Sequence, residues 1–368
     1  MRNITNLKKM SVSLLVLTIL VPLVINSVNS AYAQKVTING AGATFPFPLI
    51  DTWRVEYKKV NPAVDINYAS IGSGGGIKQF TEKTVDFGAT DAPLSKAEFA
   101  KAVSPVHIPE TIGSVVLSYN LPGISSNSLK LSGPVIADIF LGKITKWDDP
   151  QIKQLNPNVA LPSNAINVVH RSDGSGTTFV FTDYLSKVSP DWTSKIGTSK
   201  SVQWPVGIGA PGNEGVSASI NGSPYSIGYV ELAYALTAKM NFASIQNKGG
   251  NFVLPSINST MAAVDASASA LPKGSDSWTN VSLTNAPGLN SYPISSFTYI
   301  ILYKDLGANP SIDQPKAKAI VDFLSWAITD GQKFSKPLGY VPLPAAVVKV
   351  NQETLKSLTF KGNPISTK

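Results

Sequence analysis

Apolar and polar positions along the chain follow two alternating periods, which predict a repeated order of strands and helices. Short apolar runs rich in β-branched residues predict strands at about 36–38, 65–68, 86–89, 113–119, 164–169, 226–230 and 297–303. Apolar residues at helical spacing predict helices at about 46–60, from 77, and at 178–185, 231–238 and 320–328. This βα order predicts an α/β fold whose sheets are mostly parallel and are covered by helices.

Three glycine-rich stretches lie where a predicted strand passes into a predicted helix, which is where sheets of this kind bind ligands. They are GAGATFP at 40–46, IGSGGG at 71–76 and DGSGTT at 173–178. Each combines glycines that permit close approach of the backbone, free N–H groups at a helix start, and a hydroxyl group. A helix start carries roughly half a positive charge, so each stretch favours an anion. Ser and Thr are also ordinary helix caps, so only all three stretches together, brought close by the fold, indicate an anion site.

The first thirty-three residues have the pattern of a secretory signal peptide. A basic start at 2–9 precedes an apolar core at 12–25, and Ala31-Tyr32-Ala33 is a small-residue cleavage pattern. The apolar core is shorter than the ~20 residues that a membrane-spanning helix needs. Cleavage and export are therefore expected, with a retained N-terminal anchor as the alternative.

Composition narrows the chemistry further. The chain has no cysteine, which excludes disulfides, a thiol nucleophile, a thiolate metal site and a lipid-modified cysteine anchor. Removal of the signal peptide takes away three positive charges and no negative one, so the net charge falls from +8 to +5. A positive charge this small and diffuse does not favour nucleic acid as a partner. The length of the remaining chain predicts two domains.

Motifs for catalysis, metals and nucleotides are weak in this chain. Residues 207–212 match G-x-G-x-x-G, but a proline inside the match favours a turn over a dinucleotide-binding loop. Ser73 and Ser175 lack the G-x-S-x-G context of a hydrolase nucleophile. His107 and His170 are the two histidines, too few for a zinc or di-metal centre, and His170 is interpreted as a framework residue. We therefore predict no catalytic residue, no metal and no cofactor, and a protein that is not an enzyme.

Six segments of the chain carry a family resemblance. They are GAGATFPFP (40–48), SIGSGGGIKQF (70–80), TVDFGATDAPLS (84–95), LGKITKWDDP (141–150), RSDGSGTTFVFTDYL (171–185) and IGYVELAYA (227–235). In this order they resemble the phosphate-binding proteins of high-affinity phosphate ABC importers. The resemblance implies a type II periplasmic-binding-protein-like fold, in which two lobes, each a mostly parallel sheet flanked by helices, are joined by a hinge of two crossovers.

The lobe boundaries follow from the same resemblance. Lobe I is expected at 36–113 plus 293–368, and lobe II at 114–292. The two crossovers of the hinge are expected near 112–114 and 292–295, and closure of the hinge would exclude water from the bound anion.

The resemblance also implies that one phosphate ion binds between the lobes, at the predicted helix starts. The residues that the family would use are Thr44, Phe45, Ser73 and Asp91 from lobe I, and Arg171, Ser175, Gly176 and Thr177 from lobe II. Hydroxyl and backbone N–H groups would donate hydrogen bonds, Arg171 would add its guanidinium, and Asp91 would place a carboxylate against the anion. Gly74 stands where the family often has a second Ser, which removes one hydroxyl. His170 stands where the family commonly has a basic residue, which weakens the positive field of lobe II at neutral pH.

Arg171 is one of only three arginines in the chain, and Asp173 follows it by two residues. The guanidinium offers planar, directional donors, and Asp173 is placed to orient that group and to offset its charge. The alternative is that Asp173 only caps or shapes a turn. On the first interpretation most of the binding comes from neutral dipoles, and the stretch forms an anion cradle without a strong net charge.

The expected partners and location come from the resemblance as well. The protein would be an exported monomer, periplasmic or associated with the cell surface, that delivers inorganic phosphate to the permease and ATPase subunits of an ABC importer. The alternatives are a binding protein for another oxyanion or a phosphate ester, a hydrolase of phosphate esters, and a surface scaffold without a ligand. Asn221, Asn258 and Asn280 match the glycosylation pattern, whose use depends on the cell.

We predict that the exported protein begins at or near Gln34, because the small residues before it form the cleavage pattern. N-terminal sequencing of the native protein measures this directly. A native protein that still carries Met1 or Arg2 contradicts cleavage and supports the anchored alternative.

Overall fold

Every strand and helix that the hydrophobic pattern predicts is present in the structure, among further elements that the pattern did not predict. The structure is a computed structural model that describes residues 35–125, 127–267 and 271–365, and the predicted signal peptide lies outside these residues. The strands are β1 (Val36–Gly42), β2 (Val64–Ser70), β3 (Phe87–Thr90), β4 (Pro105–Asn120), β5 (Lys130–Leu131), β6 (Asn167–Arg171), β7 (Ile208–Ala210), β8 (Ser226–Glu231), β9 (Asn241–Phe242), β10 (Ser244–Gln246), β11 (Phe252–Val253), β12 (Ser295–Tyr303), β13 (Thr359–Phe360) and β14 (Asn363–Pro364). The helices are α1 (Phe47–Val60), α2 (Ser73–Thr81), α3 (Lys96–Lys101), α4 (Gly133–Phe140), α5 (Pro150–Leu155), α6 (Gly176–Val188), α7 (Pro190–Lys195), α8 (Gly212–Gly222), α9 (Leu232–Thr237), α10 (Ile257–Ser267), α11 (Gln314–Ala327) and α12 (Ala345–Lys356). Among the described residues, no helix combines the length and the apolar character that crossing a membrane requires.

The largest sheet brings early and late parts of the chain side by side. Its strand order is β2-β1-β3-β12-β4-β8-β6-β7, and β9 also pairs with β4. Strand β1 runs parallel to β2 and β3, and β6 runs parallel to β7 and β8, as predicted for βα units. Strand β4 is antiparallel to both β12 and β8 and joins the two groups. We refer to β2, β1, β3 and β12 as the first half of the sheet, and to β8, β6 and β7 as the second half.

Strand β4 belongs to both halves because it changes partner along its length. Pro105–Ser114 pairs with β12, and Val115–Asn120 pairs with β8. The strand is longer than the predicted 113–119 segment. Its N-terminal part was not predicted as a strand, because that part contains two prolines. Proline cannot donate to a sheet ladder and is tolerated mainly at the first residue of a strand or at a bulge, so the sequence pattern obscured this part.

The second proline of β4 lies at a bulge. Tyr299 of β12 pairs with Pro109, and the preceding Thr298 pairs with Thr111, which leaves Glu110 without a partner in the ladder. An extra residue of this kind bends its strand and turns a side chain in a new direction. The bulge therefore places Glu110 where a regular strand would not.

Helix α1 is fixed in place by its buried face. Leu49, Ile50, Trp53 and Tyr57 recur at helical spacing and are buried against the sheet. The Trp53 indole N–H donates to the carbonyl oxygen of Gly331, at 2.8 Å, which ties α1 to the segment after α11. Truncation of a buried Trp typically costs about 3–5 kcal/mol, so this packing holds the start of α1 firmly at the end of β1.

Helix α2 begins at Ser73, earlier than the predicted start at 77, so the predicted glycine loop forms its first turn. Gly72 precedes it with a φ of 82°, in the left-handed region that favours glycine. A Cβ on Gly76 would lie closer than 3.0 Å to Gly42, so the missing side chain lets α2 pack directly on the end of β1. The glycines thus bring the first two predicted ligand loops together.

Candidate functional site

The three predicted glycine-rich junctions meet at the carboxyl ends of β1, β2 and β6. Thr44 lies between β1 and α1, Ser73 is the first residue of α2, and Ser175 directly precedes α6. All eight candidate residues are buried, namely Thr44, Phe45, Ser73, Asp91, Arg171, Ser175, Gly176 and Thr177. Buried polar groups need hydrogen-bond partners, so their contacts define what the site can do.

The second and third junctions are in direct contact. The Ser73 hydroxyl oxygen accepts hydrogen bonds from the backbone N–H groups of Gly176, at 3.0 Å, and Asp91, at 3.2 Å. Beside it, the N–H of Gly74 donates to the carbonyl oxygen of Gly174 at 2.7 Å. Ser73 and Gly74 follow β2, whereas Gly174 and Gly176 follow β6, so these bonds cross from the first half of the sheet to the second.

Asn213 connects the first junction with the third. Its side-chain Nδ2 donates to Thr44 Oγ1 at 2.7 Å and to Thr177 Oγ1 at 3.2 Å. Arg171 Nη1 donates to the same Thr177 oxygen at 3.3 Å. Asn213 Oδ1 accepts the N–H of Glu231 at 3.0 Å, which fixes the orientation of the amide. Residues from both halves of the sheet therefore share one hydrogen-bond network.

This network fixes the polarity of three buried hydroxyl groups. Thr44 Oγ1 accepts from the backbone and side-chain nitrogens of Asn213, and Thr177 Oγ1 accepts from Asn213 and Arg171. Ser73 Oγ accepts from two backbone N–H groups. A hydroxyl has two acceptor lone pairs and one donor proton. Each of these hydroxyls therefore has its lone pairs occupied and keeps its proton for donation, and the Ser73 proton is directed to the Asp91 carboxylate.

The Arg171 guanidinium is paired with the Asp173 carboxylate. Arg171 Nε lies 2.7 Å from Asp173 Oδ1 and Nη2 lies 2.5 Å from Oδ2, which is a two-point contact. The backbone N–H of Gly212 also donates to Asp173 Oδ1, at 3.1 Å. Although burial acts to raise it, the guanidinium holds the pKa of the Asp173 carboxyl below its usual range. The charge of Arg171 is thus offset within the site.

Asp91 places a carboxylate beside these donors. Its Oδ1 accepts from the hydroxyl of Thr298 at 2.9 Å. The turn after β3 is held by Thr90, whose hydroxyl donates to the carbonyl oxygen of Ala92 at 2.6 Å and accepts its N–H at 3.2 Å. Asp91 Oδ2 lies next to Gly176, so close that a Cβ there would clash with it. The carboxylate of Asp91 therefore faces the start of α6, which follows β6 in the second half of the sheet.

Burial raises the pKa of Asp91 to about 7, against the hydrogen bond from Thr298 and the positive charge of Arg171, which both act to lower it. The carboxyl therefore changes charge close to neutral pH. Above that pH it is an acceptor only, and below it the protonated form can donate a hydrogen bond.

The helices at the three junctions differ in whether a side chain caps their first N–H groups. Helix α1 begins after Pro46 without a side-chain cap, and the carbonyl oxygen of Phe45 accepts from the Tyr340 hydroxyl at 2.6 Å. Helix α6 has a side-chain cap, because Ser175 Oγ accepts the N–H of Thr178 at 3.0 Å. The ordinary capping role that the sequence left open therefore applies to Ser175 and not to the other two junctions.

Comparison with known proteins identifies the family. The family profile described as a PBP superfamily domain matches residues 28–330. The phosphate-binding protein PstS of Pasteurella multocida is 48% identical over 88% of this chain and 91% of its own length, and that of Xylella fastidiosa (strain Temecula1) is 47% identical over 86% and 84%. This chain belongs to the PstS family of phosphate-binding proteins.

The fold of the family is confirmed by a solved structure as well. A Clostridium perfringens protein assigned as a phosphate ABC transporter substrate-binding protein, solved with bound phosphate, matches 84% of this chain and all of its own. The TM-score is 0.60 at 16% sequence identity. The predicted α/β, two-lobed binding-protein fold is therefore correct, and the curated relatives confirm the predicted family.

Asn213 is the residue of this PstS-family site that the sequence analysis missed. It is the second residue of α8, directly after the 207–212 stretch that was interpreted only as a turn. That stretch contains β7 and leads into α8, so it is a fourth strand-to-helix junction. The strand-to-helix position was the available signal, and the proline in the motif led away from it.

His170 behaves as a framework residue in this structure. Its ring stacks on Trp204, with ring centres 4.8 Å apart, and Nδ1 lies 3.1 Å from the carbonyl oxygen of Arg171. Burial, against hydrogen bonds to the backbone, lowers its pKa, so the ring is neutral at pH 7. It therefore adds no positive charge beside Arg171 at neutral pH.

We expect Gly176→Ala to weaken binding of inorganic phosphate, the ligand named for the curated relatives, by about 5- to 150-fold, the cost of overpacking a tight contact. A Cβ at this position would lie closer than 3.0 Å to Asp91 Oδ2 and to Ser73 Oγ, so the junctions could no longer meet. Isothermal titration calorimetry measures the affinity. Gly222→Ala is the matched control, because a Cβ there meets open space. Equal affinities of the two variants would contradict the role given to this contact.

Proposed function

We propose that this chain captures inorganic phosphate between two lobes and delivers it to an ABC-type importer. The observation that carries the proposal is the polarity of the site. The hydroxyls of Thr44 and Thr177 keep their protons for donation, Arg171 adds charge-assisted donors, and Asp91 is an acceptor beside them. Several donors and one acceptor fit a tetrahedral oxyanion that still carries a proton.

The close contact between the junctions supports an inorganic ion rather than an ester. The N–H of Gly74 and the carbonyl oxygen of Gly174 are 2.7 Å apart, which closes that side of the site with backbone alone. An ester would have to place its organic group where these two backbone segments meet. Membership of the PstS family supports the same ligand.

The proposed lobes are 36–113 plus 293–368 and 114–292. The partner change of β4 between Ser114 and Val115 supports a crossover there, and the start of β12 at Ser295 supports the second. The candidate residues then divide between the lobes, and the bonds from Ser73 to Gly176 and from Asn213 to Thr44 form when the lobes close.

The proposed partners are the permease and ATPase subunits of the importer, and the proposed state is an exported monomer, periplasmic or attached to the cell surface. The resemblance of six sequence segments to importer-linked binding proteins supports these partners. The curated relatives are named as binding proteins, which supports a protein that binds its ligand without catalysis.

Arg171→Ala and Thr177→Ala should each weaken phosphate binding, with the larger loss for the arginine. Loss of a charge-assisted hydrogen bond costs roughly 1.5–3 kcal/mol, and loss of a neutral hydroxyl about 0.5–1.5 kcal/mol. Calorimetric titration with phosphate measures both, and the exposed Thr237→Ala serves as the control. Circular dichroism checks that the variants are folded. Unchanged affinity in a folded Arg171→Ala variant would refute the assignment of the site.

Asp91 should exclude sulfate, because phosphate near neutral pH carries at least one proton to donate and sulfate carries none. Sites that demand a donor reject analogues without it by about 10⁴ or more. The pKa of Asp91 is raised to about 7, so its protonated form accumulates below that pH and can donate to sulfate. We therefore expect discrimination against sulfate to be strongest above pH 7 and to narrow as the pH falls through 7.

Competition titrations of phosphate against sulfate and arsenate, from about pH 5.5 to 8.5, measure this discrimination. Asp91→Asn should narrow the gap and remove its pH dependence, since an amide can donate to sulfate at any pH. The exposed Asp330→Asn is the control. Displacement of phosphate by equal concentrations of sulfate from the unaltered protein at pH 8 would rule out this role for Asp91.

A further inference from the structure

A second buried carboxyl lies directly behind Asp91. Glu110 is the residue that the bulge in β4 leaves unpaired in the ladder, and it is only 1% exposed. Its Oε1 lies 3.2 Å from Thr298 Oγ1, which in turn lies 2.9 Å from Asp91 Oδ1. Bulges beside functional sites commonly re-aim a side chain, and this one aims Glu110 at Thr298. One hydroxyl therefore stands between two buried carboxyls.

The Thr298 hydroxyl has a single proton and can donate to only one of these carboxyls at a time. Ionised carboxylates can only accept hydrogen bonds. If both were ionised, one carboxylate oxygen would face the Thr298 oxygen without a proton between them, which is unfavourable in a buried site. Both contacts are satisfied when one carboxyl is protonated and donates to Thr298, while Thr298 donates to the other. The chain Glu110–Thr298–Asp91 therefore holds one extra proton.

Glu110 is the better holder of that proton. Its Oε2 has no hydrogen-bond partner among the described residues, and the charge that acts on it is the like charge of Asp91. Burial, reinforced by Asp91, raises the pKa of Glu110 well above its ordinary value. Asp91 has in addition the positive charge of Arg171, which favours its ionised form.

The other titratable groups around this pair are acids and phenols. Tyr68 from β2 interacts with both carboxyls, and Tyr299 from β12 interacts with Asp91. Glu231 from β8 also interacts with Asp91, and its Oε2 lies 3.2 Å from the Tyr340 hydroxyl oxygen. Burial raises the pKa of each of these groups. None of them can bring a positive charge to Glu110.

We propose that Glu110 is a positioning residue for ligand selection: as a neutral acid it donates to Thr298, which directs the Thr298 proton to Asp91 and keeps Asp91 a pure acceptor. This inference rests on the proposed function, in which Asp91 accepts the proton of phosphate. With the proton on Asp91 instead, the site would donate to sulfate and lose its discrimination. Glu110 thus retains a proton that Asp91 must not take.

Glu110→Gln tests where the proton resides, because the amide keeps the size and a donor but has no titrating proton. A carboxyl that stays protonated in the folded protein loses its proton on unfolding above its ordinary pKa, about 4.3 for Glu. Its stabilising effect is complete below that pH and is lost as the pH rises toward the raised pKa. Each such group makes the unfolding equilibrium constant rise about tenfold per pH unit.

The unfolding equilibrium constant is measured by urea unfolding of the exported protein in phosphate-free buffers between about pH 5 and 7. The slope of its logarithm against pH should correspond to one proton fewer in Glu110→Gln than in the unaltered protein. The exposed Glu353→Gln is the matched control for a change from acid to amide. An unchanged slope in Glu110→Gln would show that Glu110 is ionised in the folded protein and would overturn the proposal.

Thr298→Val and Thr298→Ser test the relay itself. Valine removes the hydroxyl at nearly the same size, so Asp91 loses the stronger of its two side-chain donors, keeps only Ser73, and is more readily protonated. We expect the valine variant to lose at least about tenfold of the selectivity for phosphate over sulfate at pH 8, where Asp91 of the unaltered protein is mostly ionised, and the serine variant to keep it. Glu110→Gln should bind phosphate within about threefold of the unaltered protein, since its amide replaces the neutral acid as donor. Full selectivity in Thr298→Val, or a large loss of phosphate binding in Glu110→Gln, would overturn the proposal.

These measurements separate the failure of this inference from the failure of the proposed function. If the protein binds phosphate but Glu110→Gln leaves the pH slope of unfolding unchanged, the proposed function stands and the role given to Glu110 is wrong. A protein that does not bind phosphate at all loses the function and the selective role together, although the unfolding slope still reports the proton on Glu110.

Discussion

A buried arginine is stable in this protein because a carboxylate two residues away neutralises it. The Arg171 side chain is 1% exposed, and an unpaired charge at this depth would cost several kcal/mol. Asp173 pairs with it at two points and also accepts the N–H of Gly212 at the start of α8. The same contact therefore fixes the guanidinium and the position of Asn213, which in turn orients Thr44 and Thr177. The donors of the site thus depend on a pair that contributes almost no net charge.

Because that charge is offset, the selection between anions that we propose rests on the positions of protons in this site. The hydroxyls of Thr44 and Thr177 accept all the N–H groups directed at them, which leaves each with a proton to donate. Asp91 is the exception, and its burial makes the ionised form hard to keep. A hydrogen bond from Thr298 favours ionised Asp91, and Glu110 is placed to keep that bond in the right direction. Charge alone would attract phosphate and sulfate alike, and we propose that this arrangement of donors and acceptors separates them.

The parts of this site that the sequence predicts are those set by local chemistry. Glycines and hydroxyl residues at a strand-to-helix junction determine backbone approach and N–H direction within a few residues, so Ser73, Gly176 and their loops were found from the sequence. The contributions of Asn213 and Glu110 depend on long-range geometry. Asn213 acts on Thr44, 169 positions away in sequence, and Glu110 is aimed by a bulge that exists only when β4 pairs with β12. No periodicity within either segment records those pairings.

The fold was predictable to the same extent and for the same reason. Helix α1 and strand β12 matched their hydrophobic patterns, because each buries a face that its own residues define. Strand β4 did not, since its first half is held by pairing with a strand almost 200 residues later rather than by its own pattern. Helix α2 starts earlier than its apolar residues indicate, because its glycines serve packing against β1 instead of burying side chains.

The contacts across the site also explain why binding can be reversed. The bonds from Gly74 to Gly174, from Gly176 to Ser73 and from Asn213 to Thr44 are neutral, and each adds about 1 kcal/mol net, because water replaces it when the partners separate. The ion pair between Lys200 and Glu98, at 2.8 Å, is partly exposed and adds at most about 1 kcal/mol. In the proposed function, an anion that accepts the hydroxyl protons of Thr44 and Thr177 adds the interactions that favour closure, and its departure lets the lobes part again.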